Sequence, residues 1–175
     1  MVSSGETDVT TVRLEQTGVD IRVGVLCGTY HHHVDEKGRV AIPAPMRRYL
    51  PEGSVVAPAA DTRLMIWPPD EWAAHTALFL RTAETEAQRR RFMRILHFNT
   101  SNLDVDAQGR LLLSAQQRAF AQITDQVVFV GVGTGVEVIA DDIWDADNAA
   151  ISPEELTQVW DVVHQRGLSA PSSPA

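Results

Sequence analysis

The chain has a single cysteine, Cys27, so it can form neither an internal disulfide nor a thiolate metal cluster. It lacks a long hydrophobic run as well. The most apolar stretch near the N-terminus, Val19 to Cys27, is broken by Asp20 and Arg22 and follows no basic leader. That excludes a secretory signal and a spanning helix, and a soluble cytoplasmic protein is expected. No nucleophile, base and oxyanion donor fall together in any motif, so an enzyme is not expected. Gly131-Val132-Gly133-Thr134-Gly135 has neither the spacing nor the lysine of a phosphate loop; it reads as a hairpin turn, and no cofactor is expected. His31, His32 and His33 alternate faces if they lie on a strand, with no carboxylate or thiol cluster beside them, and no metal site is expected.

Positive charge is also in short supply. Fifteen Lys and Arg face 23 Asp and Glu, for a formal net charge of -8, whereas polyanion binding usually leaves a basic footprint. The deficit is uneven: residues 1–27 sum to -2, residues 28–99 to +2 and residues 100–175 to -8. Contact with a polyanion is therefore expected from the middle segment, with the last third forming a solvated or subunit-facing acidic surface.

What the chain does have is an apolar content of 44% over 175 residues, enough for one large or two small cores, and an internal repeat. Val34-Asp35-Glu36-Lys37-Gly38-Arg39-Val40-Ala41-Ile42-Pro43-Ala44 recurs 71 positions later as Val105-Asp106-Ala107-Gln108-Gly109-Arg110-Leu111-Leu112-Leu113-Ser114-Ala115. Arg47 then matches Arg118, and one residue further out of step Trp72 matches Trp144. Each copy reads as strand, tight turn, strand, short helix, two strands and a helix start. In the Asp-x-x-Gly turn the aspartate can accept backbone N–H groups and the glycine takes positive φ, which launches Arg39 and Arg110 into the next strand. Asp35, Gly38, Asp106, Gly109 and Arg110 are thus structural members of the motif. Strands are expected at Val40–Ile42, Val55–Ala57, Leu64–Trp67, Val127–Val132 and Val136–Ile139. Helices are expected from Pro68, over Thr85 to Phe98, and from the capping box at Ser152 until Gly167. Trp67, Trp72, Trp144 and Trp160 stand at element ends or on apolar stripes, as core or interface anchors.

A four-strand unit with one short helix cannot close a barrel, so two should pair, within the chain or between chains. The segment VDEKGRVAIPAPMRRYL resembles the AbrB family of swapped-hairpin DNA-binding domains. The span from Gly28 to Trp144, with two ordered D-x-x-G-R copies and an Arg-rich linker helix between them, resembles the MraZ family. That resemblance implies an α+β chain of two SpoVT-AbrB-like swapped-hairpin half-barrels. It further implies a cytoplasmic, nucleoid-associated transcriptional regulator that assembles into ring-like homo-oligomers and binds direct repeats in double-stranded promoter DNA, at a division-and-cell-wall gene cluster. The expected organisation is a disordered leader at 1–27, a first DNA-binding unit at 29–71, linker helices at 72–99, a second unit at 100–143, and a C-terminal helix with a disordered tail at 144–175. The alternative function is an antitoxin-like or other protein-interaction module.

Carried over on the matching positions, Arg39 is the motif arginine, Arg47 and Arg48 are the helix arginines, and Lys37 lies within the turn; these four are the expected DNA-binding residues. An arginine leaving a rigid turn can fork onto guanine edges or phosphates. The competing role for Arg39 is an ion pair with Asp35 or with an acid on a neighbouring subunit. For Arg110, which lies among Asp104, Asp106, Ala107 and Gln108, a structural pair with Asp106 is expected instead. Arg39 is read as flanked by Lys37, Arg47 and Arg48, and Arg110 as having only Arg118 nearby. The run from Arg89 to Arg94 reads as the solvated face of its helix. The chain departs from the family pattern in the 27 residues before Gly28, where Val25 stands at the family's start methionine as a GTG codon would place it. It departs again in Ser114 at the place of Pro43 and in the Leu96–Thr100 linker.

Overall fold

The computed structural model describes residues 10–14, 19–23 and 26–168. Its first elements form an antiparallel hairpin, β1 (Thr10–Leu14) against β2 (Val19–Val23), with Thr10 opposite Val23 and Leu14 opposite Val19. This corrects the expectation of a disordered leader over those residues. Thr10, Thr11, Val12, Val19, Ile21 and Val23 favour extended backbone, and a hairpin draws its stability from cross-strand pairing that no single-strand periodicity displays. The rest of that leader before Leu26, and the tail from residue 169 onward, lie outside the described residues.

The first repeat runs through β3 (Thr29–His33), β4 (Arg39–Ala41), the one-turn helix α1 (Ala44–Arg47), β5 (Val55–Pro58) and β6 (Leu64–Trp67). Helices α2 (Pro69–Thr82) and α3 (Glu86–Leu96) follow. Asp70 and Glu71 occupy the first turn of α2, where the helix dipole favours them, and Thr85 and Gln88 form a reciprocal capping box on α3. The second repeat repeats the order with β7 (Ser101–Asn102), β8 (Arg110–Leu112), α4 (Ala115–Phe120), β9 (Gln126–Gly131) and β10 (Val136–Ala140).

The repeats interleave. One six-stranded antiparallel sheet has the order β3-β9-β10-β6-β5-β7, and a second sheet pairs β4 with β8. The first strand of each repeat thus lies against the third strand of the other, β3 on β9 and β7 on β5, while β6 and β10 meet at the centre. Val40 faces Leu111 where β4 crosses β8, with Arg39 opposite Leu112 and Arg110 opposite Ala41, so an approximate two-fold axis passes between the two strands. Val40, Ile66, Leu64, Phe129, Val138 and Ile139 are fully buried, so the core draws on both repeats at once.

The Gly131–Gly135 segment is the hairpin turn between β9 and β10, closed by a bond from Val132 N–H to Gly135 O of 3.0 Å. The segment just before β3 lies on it: Gly133 N–H donates to Leu26 O at 2.8 Å and Gly131 N–H to Gly28 O at 2.9 Å. A Cβ at Gly131 would meet the Leu26 and Cys27 backbone at 2.5 Å, and Leu26 is buried. Residues 26 and 27, included in the expected leader, therefore belong to the packed body.

Trp67 at the end of β6 stacks on His75 of α2 at 4.9 Å, His75 meets Phe79 at 5.0 Å, and Phe79 meets Phe92 of α3 edge-on at 6.3 Å. This aromatic chain fastens the α2–α3 pair to the sheet, and its burial holds the His75 imidazole below the ordinary histidine pKa. The compact unit Met1–Asp141 contains all of these elements, and Asp142–Ala175 forms a second unit. At its start the chain continues through α5 (Asp141–Ala150), and the second unit holds α6 (Pro153–Leu168). The α6 cap is formed by Glu155 N–H donating to Ser152 Oγ at 3.0 Å. This helix runs through Gly167, which was expected to stop it; a single glycine in a helix costs only about 1 kcal/mol relative to alanine. Among the described residues no helix is long and apolar enough to cross a membrane.

Candidate nucleic-acid interface

The two D-x-x-G-R turns lie side by side because β4 and β8, the strands they launch, pair with each other. Each turn is closed by Gly38 N–H to Asp35 O, or Gly109 N–H to Asp106 O, both at 2.8 Å. Gly38 and Gly109 adopt φ of +82° and +77°, which a side chain would strain. The aspartate organises the rest. Asp35 Oδ1 accepts from Lys37 N–H and Arg39 N–H, both at 2.9 Å, and Oδ2 from Arg39 Nε at 2.7 Å. Asp106 does the same with Gln108 N–H, Arg110 N–H and Arg110 Nε at 2.9, 3.0 and 2.8 Å. A carboxylate, a loop of fixed length and an arginine at i+4 are thus all needed, which is why the motif recurs so closely.

These bonds stabilise the ionised carboxylates. The Arg39 backbone N–H holds Asp35 below the usual carboxylate pKa, and the Arg110 guanidinium does so for Asp106. A carboxyl group depressed in the fold binds its proton more tightly when unfolded, so its stabilisation is present above the ordinary range near pH 4 and is lost as pH falls through the folded values. We expect the melting temperature to drop below about pH 4 and the drop to be shallower in the Asp35→Asn, Asp106→Asn double variant. An acid slope identical in the two proteins would contradict this account.

The two motif arginines differ in what they leave free. Among the described residues Arg39 is tied through Nε alone, and neither of its Nη nitrogens has a hydrogen bond. Arg110 donates through Nε and Nη2 to Asp106, Nη2 also reaches Gln108 Oε1 at 3.2 Å, and Nη1 lies 3.9 Å from Asp35 Oδ2. The ion pair weighed against DNA contact for Arg39 therefore exists, but it occupies one edge of the guanidinium. Lys37 is exposed, as are Arg47 and Arg48, and Arg48 lies over the Tyr49 ring at 4.8 Å from its centroid.

The helix arginines do not stand where the sequence order puts them. A Cβ on Gly109 would fall on the guanidinium of Arg47, and one on Gly38 would lie 3.0 Å from Arg118 Nε. Arg47 thus lies at the second turn and Arg118 at the first. The expected grouping of Arg47 with Arg39, and of Arg118 with Arg110, is corrected here. The cause is the strand crossing: Ile42 N–H donates to Gly109 O and Leu113 N–H to Gly38 O, which carries each helix over to the opposite turn.

Sequence reasoning also missed Gln117, which is buried. Its amide donates to Asn99 O and to Ser101 Oγ, both at 3.0 Å, and its oxygen accepts from Ser114 N–H at 2.9 Å. Ser114-x-x-Gln117 is a capping box, a signal that was available. The histidine triplet splits as a strand requires: His31 Nδ1 is 2.8 Å from Asp141 Oδ1, whereas His32 meets the Phe129 ring edge-on. No group of three potential metal ligands occurs among the described residues. On α3, Arg89 and Arg90 make loose exposed pairs with Glu86 at 3.8 and 3.7 Å.

The duplicated sequence has counterparts in known proteins. A family model described as "MraZ protein, putative antitoxin-like" matches the chain twice, over residues 25–95 and 96–161. The chain belongs to the MraZ family. Among its curated relatives, the protein named transcriptional regulator MraZ from Thermoanaerobacter sp. (strain X514) is 34% identical over 136 residues, 77% of this chain and 95% of that protein. The MraZ regulator of Syntrophomonas wolfei is 35% identical over 133 residues, covering 75% and 93% of the two chains. That of Herpetosiphon aurantiacus is 36% identical over 117 residues, covering 67% and 82%. The two MraZ matches meet between Ile95 and Leu96, at the end of α3, so each includes one complete D-x-x-G-R turn.

Proposed function

We propose that this chain is a transcriptional regulator that binds double-stranded promoter DNA with the end of the sheet that carries its two turns. Its architecture is a pair of AbrB-like swapped-hairpin half-barrels, residues 29–71 and 100–143, bridged by 72–99. The exchange of first and third strands between repeats supports this. Arg39 is the leading contact, and the observation that carries the reading is its guanidinium: Asp35 fixes it through Nε while both Nη nitrogens remain available. A guanidinium held in this way loses little rotamer freedom on binding a guanine edge or a phosphate. Lys37 in the first turn, and Arg47 and Arg48 at the end of α1, supply further exposed cations. No catalytic role is assigned.

Several copies assemble into a closed ring on direct repeats in a promoter, the division-and-cell-wall cluster being the target that the family resemblance implies. Exposed apolar side chains on α3 and its end, Ile95 and Phe98, and on α6, Leu156, Val159, Trp160 and Val163, favour assembly. Repetition around a ring then converts weak single contacts into avidity. The test is a duplex titration by fluorescence anisotropy over a salt series, with light scattering on the free protein. A salt-dependent affinity and a mass of several chains are expected. A monomer removes the ring, and absence of duplex binding removes the reading as a whole.

A further inference from the structure

Arg47 and Arg118 share an unusual condition. Neither guanidinium has a hydrogen bond or an ion pair to any of the described residues, and each packs against a turn glycine of the other repeat. Arg118 is half-buried, and its Nε has no partner. An arginine that is partly desolvated and left without a counter-ion destabilises the free protein, and an anion brought against it would satisfy the unpaired donor. Arg118 stands beside the first turn, where Lys37 is exposed and Arg39 is open to a ligand, and Arg47, itself exposed, stands beside the second.

We propose that the DNA-binding turns are composite, with the helix arginine of each repeat serving the turn of the other: Arg118 is a phosphate-binding residue of the first turn, beside Lys37 and Gly38, and Arg47 of the second, beside Gly109. This rests on the DNA-binding reading above and extends it. It assigns a DNA role to a residue of the acidic third of the chain and gives the second turn a phosphate contact despite the internal pairing of Arg110. Both glycines gain a second purpose, because a side chain at either would displace the incoming guanidinium as well as strain the turn.

The test uses the full chain and a fluorescein-labelled mixed-sequence duplex over a potassium chloride series. Each lost phosphate contact flattens the salt slope by about one unit. Arg118→Gln is expected to lose that unit, Arg118→Lys to keep the wild-type slope, and Arg47→Gln to lose the same amount as Arg118→Gln. A purely structural Arg118 would change the melting temperature without changing the slope. If Arg118→Gln does not fold, phenylglyoxal modification of the unaltered chain decides: the duplex should protect Arg47 and Arg118. A wild-type slope in Arg118→Gln, or equal modification of Arg118 with and without bound duplex, overturns the composite turns and leaves DNA binding standing. A wild-type chain that does not bind the duplex overturns both.

Discussion

Arg39→Ala is expected to weaken specific duplex binding by about 1–3 kcal/mol for each contacted site, with the loss multiplied wherever several chains bind together. Arg110→Ala is expected to leave affinity close to wild type and to lower the melting temperature instead. Both arginines occupy matching positions and both pair with the aspartate four residues earlier, so a reading from the motif alone gives them equal weight. Their guanidinium groups differ. Arg110 is engaged through Nε, Nη2 and, more distantly, Nη1, whereas Arg39 is engaged only through Nε. Removing Arg39 takes away two available Nη nitrogens along with its single Nε bond to Asp35, whereas removing Arg110 takes away only bonds internal to the protein and leaves Asp106 with an unmatched charge. If Arg39 touches only phosphate, its loss should appear as a salt slope flatter by about one unit. Anisotropy titrations over a salt series, on variants first shown to be folded, separate these outcomes. Equal losses in the two variants would refute the distinction.

The second large effect concerns the repeats themselves. Residues 26–99 expressed alone are expected to show no cooperative unfolding as a monomer, and adding residues 100–144 should restore it. Among the described residues the sheet neighbour of β3 is β9, that of β4 is β8, and β6 pairs with β10 on one side. The isolated half would leave all of these edges open and would expose Val40, Leu64 and Ile66, which are now fully buried. Losing that burial forfeits about 1.5–3 kcal/mol for each large apolar side chain, against a typical total stability of about 5–15 kcal/mol. Circular dichroism and urea titration of the half and of the mixture measure this. A cooperative monomeric transition in the half alone would show that the strand exchange is dispensable.

Much of this architecture can be read from the residues because the turn has narrow chemical requirements. Asp, Gly and Arg must stand at fixed offsets for one carboxylate to accept three N–H groups, so the duplication survives in the sequence. The strands are legible too, as short β-branched runs bounded by Gly, Pro and Asp. What cannot be read is which strand pairs with which, since that depends on partners some 70–100 positions away in the chain. The misplacement of Arg47 and Arg118 follows directly. Grouping cations by sequence distance assumes that neighbours in the chain are neighbours in space, and the β4–β8 crossing reverses the pairing. The packed Leu26 escaped for a similar reason, because its place depends on the missing Cβ of Gly131 far along the chain.

The approximate axis between Val40 and Leu111 has one more consequence. A dimer of identical single-repeat chains is bound by true two-fold symmetry and presents the same face in either orientation, which suits a palindrome. Here the related positions have drifted apart: Lys37 corresponds to Gln108, Arg48 to Ala119 and Pro43 to Ser114. The face that carries the two turns consequently has a front and a back. A chain seated on a duplex by that face would acquire a heading, and successive chains would be able to follow one another along the same strand in the same sense, something a perfectly symmetric dimer has no means to specify.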